Sequence, residues 1–417
     1  MTNNNDKKVL NVPPLRFPEF TEEWGKCKVS DLLDIYSTNS LSWEQLEYDT
    51  NTIMNLHYGL IHVGLPTMVN LTKDKLPNIK EGNMPKNFEL CKEGDVAFAD
   101  ASEDTNEVAK TVEFFNLAGK DIVCGLHTIH GRDNKNRTVI GYKGYAFSST
   151  AFHNQIRRIA QGTKIYSISS KNFSECYIGL PSKPEQTKIA TLLRLIDERI
   201  VTQNKIIEKY ESLIQAIIYK AKIDGINKGT WRRIDLCKVL QERNEKNING
   251  RTICSVSVSQ GVVNQIEYLG RSFAAKQTSH YNVVKYGDIV YTKSPTGDFP
   301  YGIIKRNDIR EDVAVSPLYG VYIPASNSIG VILHFYFMRP SNAFNYLHPL
   351  IQKGAKNTIN ITNGRFLENS APLPISENEA NSIAGILKSI QEKIEIEKSL
   401  LQSYTKEKEY LLRQMFI

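Results

Sequence analysis

The amino-acid sequence predicts an α+β fold in which one unit, a globular segment followed by a long helix, occurs twice in tandem. Two observations support this prediction. Ile189 matches Ile383 and Ile196 matches Ile390, so two helical stretches repeat at a constant offset of 194 residues. Short motifs ahead of each stretch also recur in the same order. Because repeats of this kind decide the architecture, they take precedence over local propensities.

The two helices are predicted over 181–222 and 373–417 from their apolar periodicity. In both stretches the apolar residues alternate at spacings of three and four, and this heptad pattern over several repeats is typical of a coiled coil. Polar residues interrupt the seam at Gln203, Glu397 and Lys408. Tyr210 and Tyr404, with Gln203 and Glu397 upstream of them, could fix the register. The predicted seam residues, which would form the coiled coil and the subunit interface, are Ile189, Leu193, Ile196, Ile200, Ile207, Tyr210, Ile214, Ile383, Leu387, Ile390, Ile394, Leu401, Tyr404 and Leu411.

The globular segments, predicted over 15–180 and 223–372, share three marks in the same order. Trp24 in the first half corresponds to Trp231 in the second. A Gly-Asp pair then precedes a predicted aliphatic strand in each half, at Gly94-Asp95 and at Gly287-Asp288. A Gly-x-Lys turn follows at 162–164 and 354–356. Short alternating runs between Gly, Asn and Pro favour strands, so each segment should be mixed α+β with an irregular, twisted sheet. Residues 1–14 are expected to form a flexible tail.

Composition narrows the class of protein. The chain has 417 residues, a net charge of +7 and a pI near 8.8, a mild basic excess that is compatible with a polyanionic partner but not diagnostic. No apolar run approaches the ~18 residues that span a bilayer. The six cysteines are far apart and contain no Cys-x-x-Cys pair, so reduced, mostly buried thiols in a cytoplasmic protein are expected.

No catalytic residues are predicted. The one Pro-Pro pair, Pro13-Pro14, lacks the flanks of an adenine methyltransferase motif, and no phosphate-binding loop is present. His127 and His130 would point to opposite faces of a strand with no Cys or carboxylate clustered beside them, so no metal site is predicted. Glu103-Asp104 is interpreted as an acidic surface loop, since no suitably spaced Glu-x-Lys accompanies it as it would in a nuclease.

The chain resembles the specificity (S) subunit of type I restriction–modification enzymes. The resemblance is carried by Pro14–Trp24 (PLRFPEFTEEW), by the two Gly-Asp-aliphatic motifs, and by Leu180–Ala190 (LPSKPEQTKIA) at the start of the first helix. It covers nearly the whole chain. The second helix start departs from the pattern, because Asn378-Glu379 stands where Glu-Gln would, with one extra residue before Ile383.

The resemblance implies a fold and a function. Each globular segment would be a target recognition domain that reads half of a split, asymmetric site on double-stranded DNA. The helices would pair antiparallel in a pseudo-twofold arrangement and carry two modification (methyltransferase) subunits. Restriction (translocase/nuclease) subunits would join them. S-adenosylmethionine, ATP and Mg²⁺ would be bound by those partners and no cofactor by this chain. Two alternatives stay open: a coiled-coil scaffold whose globular parts bind protein, and a nuclease with an unrecognised site.

Candidate DNA contacts are polar or basic residues held beside glycine or after the Gly-Asp strands. Arg and Lys suit phosphates and guanine edges, whereas Asn and Gln suit adenine edges. Ordinary solvated turns are the alternative interpretation of the same residues. The predicted contacts are Ser102, Asn106, Arg157, Arg158, Gln161, Lys164, Tyr166, Arg251, Lys293, Ser294, Thr296, Lys353, Lys356, Asn357, Asn360 and Thr362.

Overall fold

The computed structural model describes residues 11–272, 274–353 and 359–417, and it confirms the predicted α+β class with two long helices. The chain divides into two compact units. The first contains the chain up to Gln203 together with Leu400–Ile417, and the second is Asn204–Ser399. Each unit therefore combines one globular segment with part of both long helices. Nothing in the described residues is both long and apolar enough to be a membrane-spanning helix.

The first globular segment contains thirteen strands and five short helices before the long helix begins. In chain order these elements are β1 (Gly25–Lys28), α1 (Val29–Leu32), β2 (Asp34–Tyr36), β3 (Leu46–Glu47), β4 (Met54–Leu56), α2 (Tyr58–His62), β5 (Met68–Asn70), β6 (Asn78–Ile79), β7 (Val96–Ala99), β8 (Ala101–Ser102), β9 (Thr111–Asn116), β10 (Ile122–Cys124), β11 (Thr128–Arg132), α3 (Tyr142–Phe147), α4 (Thr150–Ile159), β12 (Tyr166–Ser167), α5 (Ser170–Ser174), β13 (Tyr177–Leu180) and the long helix α6 (Lys183–Lys228).

A five-stranded sheet, ordered β2-β11-β7-β9-β5, organises this segment. Side chains of β7 alternate between two apolar cores. Val96 and Phe98 belong to one core, and Ala97 and Ala99 belong to the other, as the two-residue period of a strand requires. The same segment contains a second, four-stranded sheet with the order β10-β4-β6-β3. Strand β1 pairs antiparallel with β13, the strand that precedes α6.

The second globular segment has twelve strands in the described residues. Its elements are β14 (Trp231–Asp235), β15 (Leu240–Glu242), β16 (Cys254–Ser257), β17 (Gly261–Asn264), α7 (Gln265–Leu269), β18 (Asn282–Val284), β19 (Ile289–Tyr291), β20 (Ile304–Arg306), β21 (Val313–Val315), β22 (Gly320–Pro324), α8 (Asn327–Phe337), α9 (Pro340–Leu347), β23 (Gln352–Lys353), β24 (Ile359–Asn360), α10 (Asn363–Phe366), β25 (Ser370–Pro374) and the long helix α11 (Glu377–Gln414).

The duplication is visible in the strand order. The sheet β15-β22-β19-β20 repeats the order β2-β11-β7-β9, and β14 pairs antiparallel with β25 as β1 does with β13. In both segments the strand that begins near the tryptophan lies beside the strand that leads into the long helix. The two globular segments therefore share one framework.

Both long helices differ from their predicted bounds. The first continues to Lys228, beyond the predicted end at 222, and the second begins at Glu377 because Leu373 and Pro374 belong to β25. Gly225 lies inside the extra turn, where an added Cβ would come within 2.0 Å of the Trp231 ring. The predicted apolar seam does not reach this part of the helix, which packs closely against Trp231.

The start of α6 packs into the first globular core. Ile189, Leu193 and Ile196 share a cluster with Tyr142 and with Leu411 near the end of α11. The two helices run antiparallel here, because Asp197 pairs with Lys408 at 2.6 Å while Arg199 contacts Tyr404. A heptad pattern shows that a stripe is buried but not what covers it, so the sequence did not predict that a globular core covers this stripe.

The ends of the chain also belong to this unit. The carbonyl oxygen of Asn11 accepts a hydrogen bond from the Trp24 N–H at 2.9 Å, although Asn11 falls within the predicted tail. Phe416 packs edge-on against Trp24 with ring centroids 6.5 Å apart. Arg16 donates two hydrogen bonds, of 2.6 and 2.8 Å, to the buried carboxylate of Glu185 in the first turn of α6. Residues 1–10 of the predicted tail lie outside the described residues.

Candidate nucleic-acid interface

A buried turn at Gly94-Asp95 immediately precedes β7, the central strand of the five-stranded sheet. Gly94 adopts φ +85°, a left-handed conformation that favours glycine, and Asp95 turns its carboxylate inward. That carboxylate accepts hydrogen bonds from the Lys92 N–H at 2.8 Å and from Arg132 Nη2 at 2.8 Å. Burial opposes ionisation of Asp95, but hydrogen bonds from His130, Arg132 and Lys92 outweigh it and lower its pKa. The ionised Asp95 carboxylate thus holds the turn before β7 in place through its hydrogen bonds; we call such a carboxylate an anionic anchor.

The second sheet uses the same turn with a different partner. Gly287 has φ +91°, and Asp288 accepts the Lys285 N–H at 2.8 Å, as Asp95 accepts that of Lys92. Here the guanidinium comes from Arg243 next to β15, whose Nε and Nη2 donate at 2.6 and 3.0 Å. The two turns are therefore equivalent in backbone and differ in the residue that neutralises the carboxylate.

The first set of predicted contacts comes together on one exposed surface. Tyr166 in β12 pairs with Ser102 in β8, and Arg157 at the end of α4 donates to Asn106 Oδ1 at 2.8 Å. Gln161 bridges to Ser167, which closes the turn that carries Lys164. Gly162 is required in that turn, because its φ is +142° and a Cβ would meet the Ile165 carbonyl oxygen at 1.9 Å.

Exposure on this surface suits contact with a large ligand. Asn106, Arg157, Arg158, Gln161 and Lys164 are all exposed, while Ser102 and Tyr166 are half-buried. Glu103 and Asp104 are exposed in the same loop, as expected for an acidic surface loop. The structure thus brings together residues from two separate stretches of sequence, 102–106 and 157–166.

The second set is described in part. Ser294 and Thr296 are exposed in the loop after β19, and Lys293 adopts φ +61° with an amine whose pKa burial lowers. Lys353 lies in β23 and Asn360 in β24, two strands that pair with each other. The hydroxyl of Thr362 accepts the Arg365 N–H as the N-cap of α10. Lys356 and Asn357 lie outside the described residues.

Arg251 is held by carboxylates in the second unit. Its Nη2 lies 3.1 Å from Glu245 and 3.4 Å from Asp312. A phosphate at this position would have to compete with both acids. Its role as a DNA contact stays a prediction.

The predicted seam residues of the long helices are all buried or half-buried. Gln203 lies among them with 5% of its surface exposed, so the polar interruption sits inside the seam. Other apolar side chains of the same helices are exposed, among them Leu195, Leu213 and Ile396. Each helix therefore buries its predicted seam and keeps further apolar residues on the surface.

Sequence reasoning missed one cluster. It expected no Cys or carboxylate beside His130, and this expectation is wrong: Cys91, Cys124 and Asp95 all lie close to it. These four residues come from two stretches, 91–95 and 124–130, which meet through strand pairing, so no local spacing could reveal the cluster. Of the other cysteines, Cys27, Cys176 and Cys254 are buried and Cys237 is exposed.

Comparison with known proteins finds a matching domain family and solved structures of similar fold. A family model described as the type I restriction modification DNA specificity domain matches residues 74–212. No curated protein matches the chain. Among solved structures, the chain is similar to the S subunit of a type I restriction-modification system from M. genitalium, at 15% identity over 97% of this chain and 99% of that one, with a TM-score of 0.57.

Two further structures are more distant. The HsdS subunit from Thermoanaerobacter tengcongensis is 15% identical over 96% of this chain and 97% of that one, with a TM-score of 0.37. A chain from a study of complex assembly and conformational transition of the type I R-M system is 14% identical over 96% and 98%, with a TM-score of 0.49. Residues 74–212 thus match the model of the type I restriction modification DNA specificity domain, and the chain as a whole has a fold similar to that of the M. genitalium S subunit, as its motifs predicted.

Proposed function

We propose that this chain is the non-catalytic DNA specificity subunit of a type I restriction–modification complex, in which each globular segment reads one half of a bipartite, asymmetric site. The observation that carries this proposal is the repeated framework: the same Gly-Asp turn and the same strand order occur twice, with different residues on the loops that follow. One framework with two different surfaces suits two unequal half-sites.

The contrast between the loops supports unequal reading. After β7 the first unit presents Asn106, held by Arg157 at 2.8 Å. After β19 the second unit presents Ser294 and Thr296 on a loop that begins with Lys293 in a left-handed conformation. An Asn–Arg pair and a Lys–Ser–Thr loop offer different donors and acceptors to base edges, so the two segments would select different bases.

We further propose that the long helices set the distance between the half-sites. The helices have 46 and 38 residues, which correspond to about 69 and 57 Å at 1.5 Å per residue. Each contributes to both units, and paired helices are stiff. Fixed separation of two readers selects a fixed spacing on the duplex, the result that dimeric DNA-binding proteins obtain by symmetry.

The exposed apolar residues of the helices support docking of protein partners. Leu195 and Leu213 on α6 and Ile386 and Ile396 on α11 are exposed, and Ile396 keeps 66% of its surface accessible. Contiguous exposed apolar patches mark interaction surfaces, and we propose that these residues contribute to such patches. The partners we propose are two modification subunits, which would bind S-adenosylmethionine and methylate adenine, and restriction subunits that would use ATP and Mg²⁺.

The experiment measures DNA binding of the chain assembled with its modification subunits as salt is varied. Arg157→Ala should reduce the slope of log affinity against log salt by about 1 if Arg157 contacts a phosphate. Alternatively, it should relax the preferred sequence of one half-site if it contacts a base. The matched control is Arg310→Ala, an exposed arginine of the second unit outside the predicted contacts. Binding that is indifferent to salt would instead favour a protein-binding scaffold.

A further inference from the structure

Three metal-ligating side chains meet in the buried part of the first unit. The Sγ atoms of Cys91 and Cys124 are 3.6 Å apart, and one ligand atom each from Cys91, Cys124 and His130 lie within 4.8 Å of one another. Their exposed fractions are 6%, 2% and 0%. Cys91 precedes the Gly-Asp turn, Cys124 ends β10, and His130 lies in β11.

The orientation of His130 leaves one ring nitrogen without a partner. Nε2 lies 2.7 Å from Asp95 Oδ2, and the ring packs against Tyr36 with centroids 5.4 Å apart. Because a carboxylate accepts, Nε2 carries a proton, and in the neutral ring, the form that binds a metal, Nδ1 presents its lone pair. Nδ1 is buried and has no hydrogen-bond partner in the described structure. Buried polar atoms normally have a hydrogen-bond partner or bind a ligand, so we infer that His130 Nδ1 binds a ligand.

We propose that Cys91 Sγ, Cys124 Sγ and His130 Nδ1 form a binding site for one thiophilic divalent cation, with Zn²⁺ as the best-fitting ion. Two thiolates bound to zinc at about 2.3 Å in tetrahedral geometry lie about 3.8 Å apart, close to the 3.6 Å between these sulfurs. Thiolate and imidazole are the ligands that zinc prefers. The three side chains leave a fourth position for water or another small ligand.

Asp95 supplies the outer part of such a site. A carboxylate that accepts the second N–H of a ligating histidine fixes the tautomer and the ring orientation, which is the common arrangement around zinc. Arg132 balances the charge of Asp95 through hydrogen bonds of 2.8 to 3.2 Å. Binding would release the two thiol protons and form two sulfur–zinc bonds, without oxidation or reduction.

The second unit provides an internal comparison. Val284 precedes Asp288 by four residues, as Cys91 precedes Asp95, and Val321 lies opposite Val290 in the register where His130 lies opposite Ala97. Both valines are buried in an apolar cluster. The shared framework therefore folds with apolar side chains at these positions, so the Cys and His residues of the first unit are not a requirement of the turn.

The test measures zinc in the full-length chain, purified without a polyhistidine tag, after loading with Zn²⁺ and desalting. About one zinc ion per chain is expected by mass spectrometry. Co²⁺ in place of zinc should give thiolate-to-cobalt charge-transfer absorption. Cys124→Ser and His130→Asn should each reduce the bound metal at least tenfold. Cys176→Ser, which changes another buried cysteine of the same unit, should retain it.

Wild-type protein provides a second measurement in case a variant fails to fold. Removal of zinc by a chelator should lower the midpoint of thermal unfolding, and added Zn²⁺ should restore it. Substoichiometric zinc in the wild type, equal loss in Cys176→Ser, or a disulfide between Cys91 and Cys124 in protein purified under reducing conditions would each overturn the proposal. Metal content is measured without DNA, so its outcome is independent of the proposed specificity function.

Discussion

Replacing Asp288 by asparagine removes the anionic anchor of the second Gly-Asp turn while nearly preserving its volume. Asp288 is 2% exposed and accepts two hydrogen bonds from Arg243, at 2.6 and 3.0 Å, and one from the Lys285 N–H at 2.8 Å. Breaking a buried ion pair costs about 3–5 kcal/mol because one charge stays buried without its partner. The Arg243 side chain keeps 15% exposure, so water relieves part of that cost. We expect Asp288→Asn to lower the free energy of unfolding by about 3 kcal/mol.

Urea unfolding of the full chain measures this loss, with circular dichroism as the signal. The matched control is Asp312→Asn, whose carboxylate is 38% exposed and lies 3.4 Å from Arg251. Exposed ion pairs contribute little, so the control should change stability by about 0.5 kcal/mol or less. Equal effects of the two substitutions, or a loss below about 1 kcal/mol for Asp288→Asn, would refute the assignment of the Gly-Asp turn as a structural anchor.

Three other predictions concern the helices and a buried histidine. Insertion of four residues after Gln203 adds about 6 Å of helix; it should change the spacing between half-sites or abolish assembly, and a methylation map with unchanged spacing would count against a helical spacer. Gly225→Ala should destabilise the chain by about 1–3 kcal/mol, because the new Cβ would lie 2.0 Å from Trp231. Gly385→Ala, with nothing within 4 Å, should instead stabilise α11 by up to about 1 kcal/mol, and urea unfolding compares the two. Burial lowers the pKa of His334 from 6.5 to about 3, and its Nδ1 accepts the Arg306 N–H at 3.1 Å. The unfolded chain therefore binds more protons between these values, and stability is lost as pH falls through them, by up to about 1.4 kcal/mol per pH unit. His334→Asn should flatten that dependence in unfolding measured from about pH 7 to pH 4, and an unchanged slope would show that other groups cause it.

The repeated framework could be predicted from the sequence because its signals are local. A heptad seam needs only the spacing of residues such as Ile189 and Leu193, and in both halves a Gly-Asp pair followed by an aliphatic run predicts a turn into a strand. These signals predicted both long helices and both central strands. The helix bounds were less well predicted, since the first helix continues beyond the apolar seam to a segment where Gly225 packs closely against Trp231.

The cluster at His130 and the packing of α6 could not be predicted in the same way. Cys91 and Cys124 are 33 residues apart and meet because Cys91 donates its backbone N–H to Ile122 in β10. Ile196 is an ordinary seam residue in the sequence, yet it belongs to the same buried apolar cluster as Tyr142 of the globular segment. Both results depend on strand pairing between distant segments, which a single sequence does not specify.

Under the proposed function, the bases that each globular segment reads would depend on side chains such as Asn106 and Thr296, which are exposed on loops. Sequencing of methylated adenines in cells with and without this gene tests the bipartite reading most directly. Our account predicts that one motif disappears with the gene, and that this motif consists of two unequal halves separated by a spacer of fixed length. A palindromic or uninterrupted motif, or a methylation pattern unchanged by removal of the gene, would contradict it.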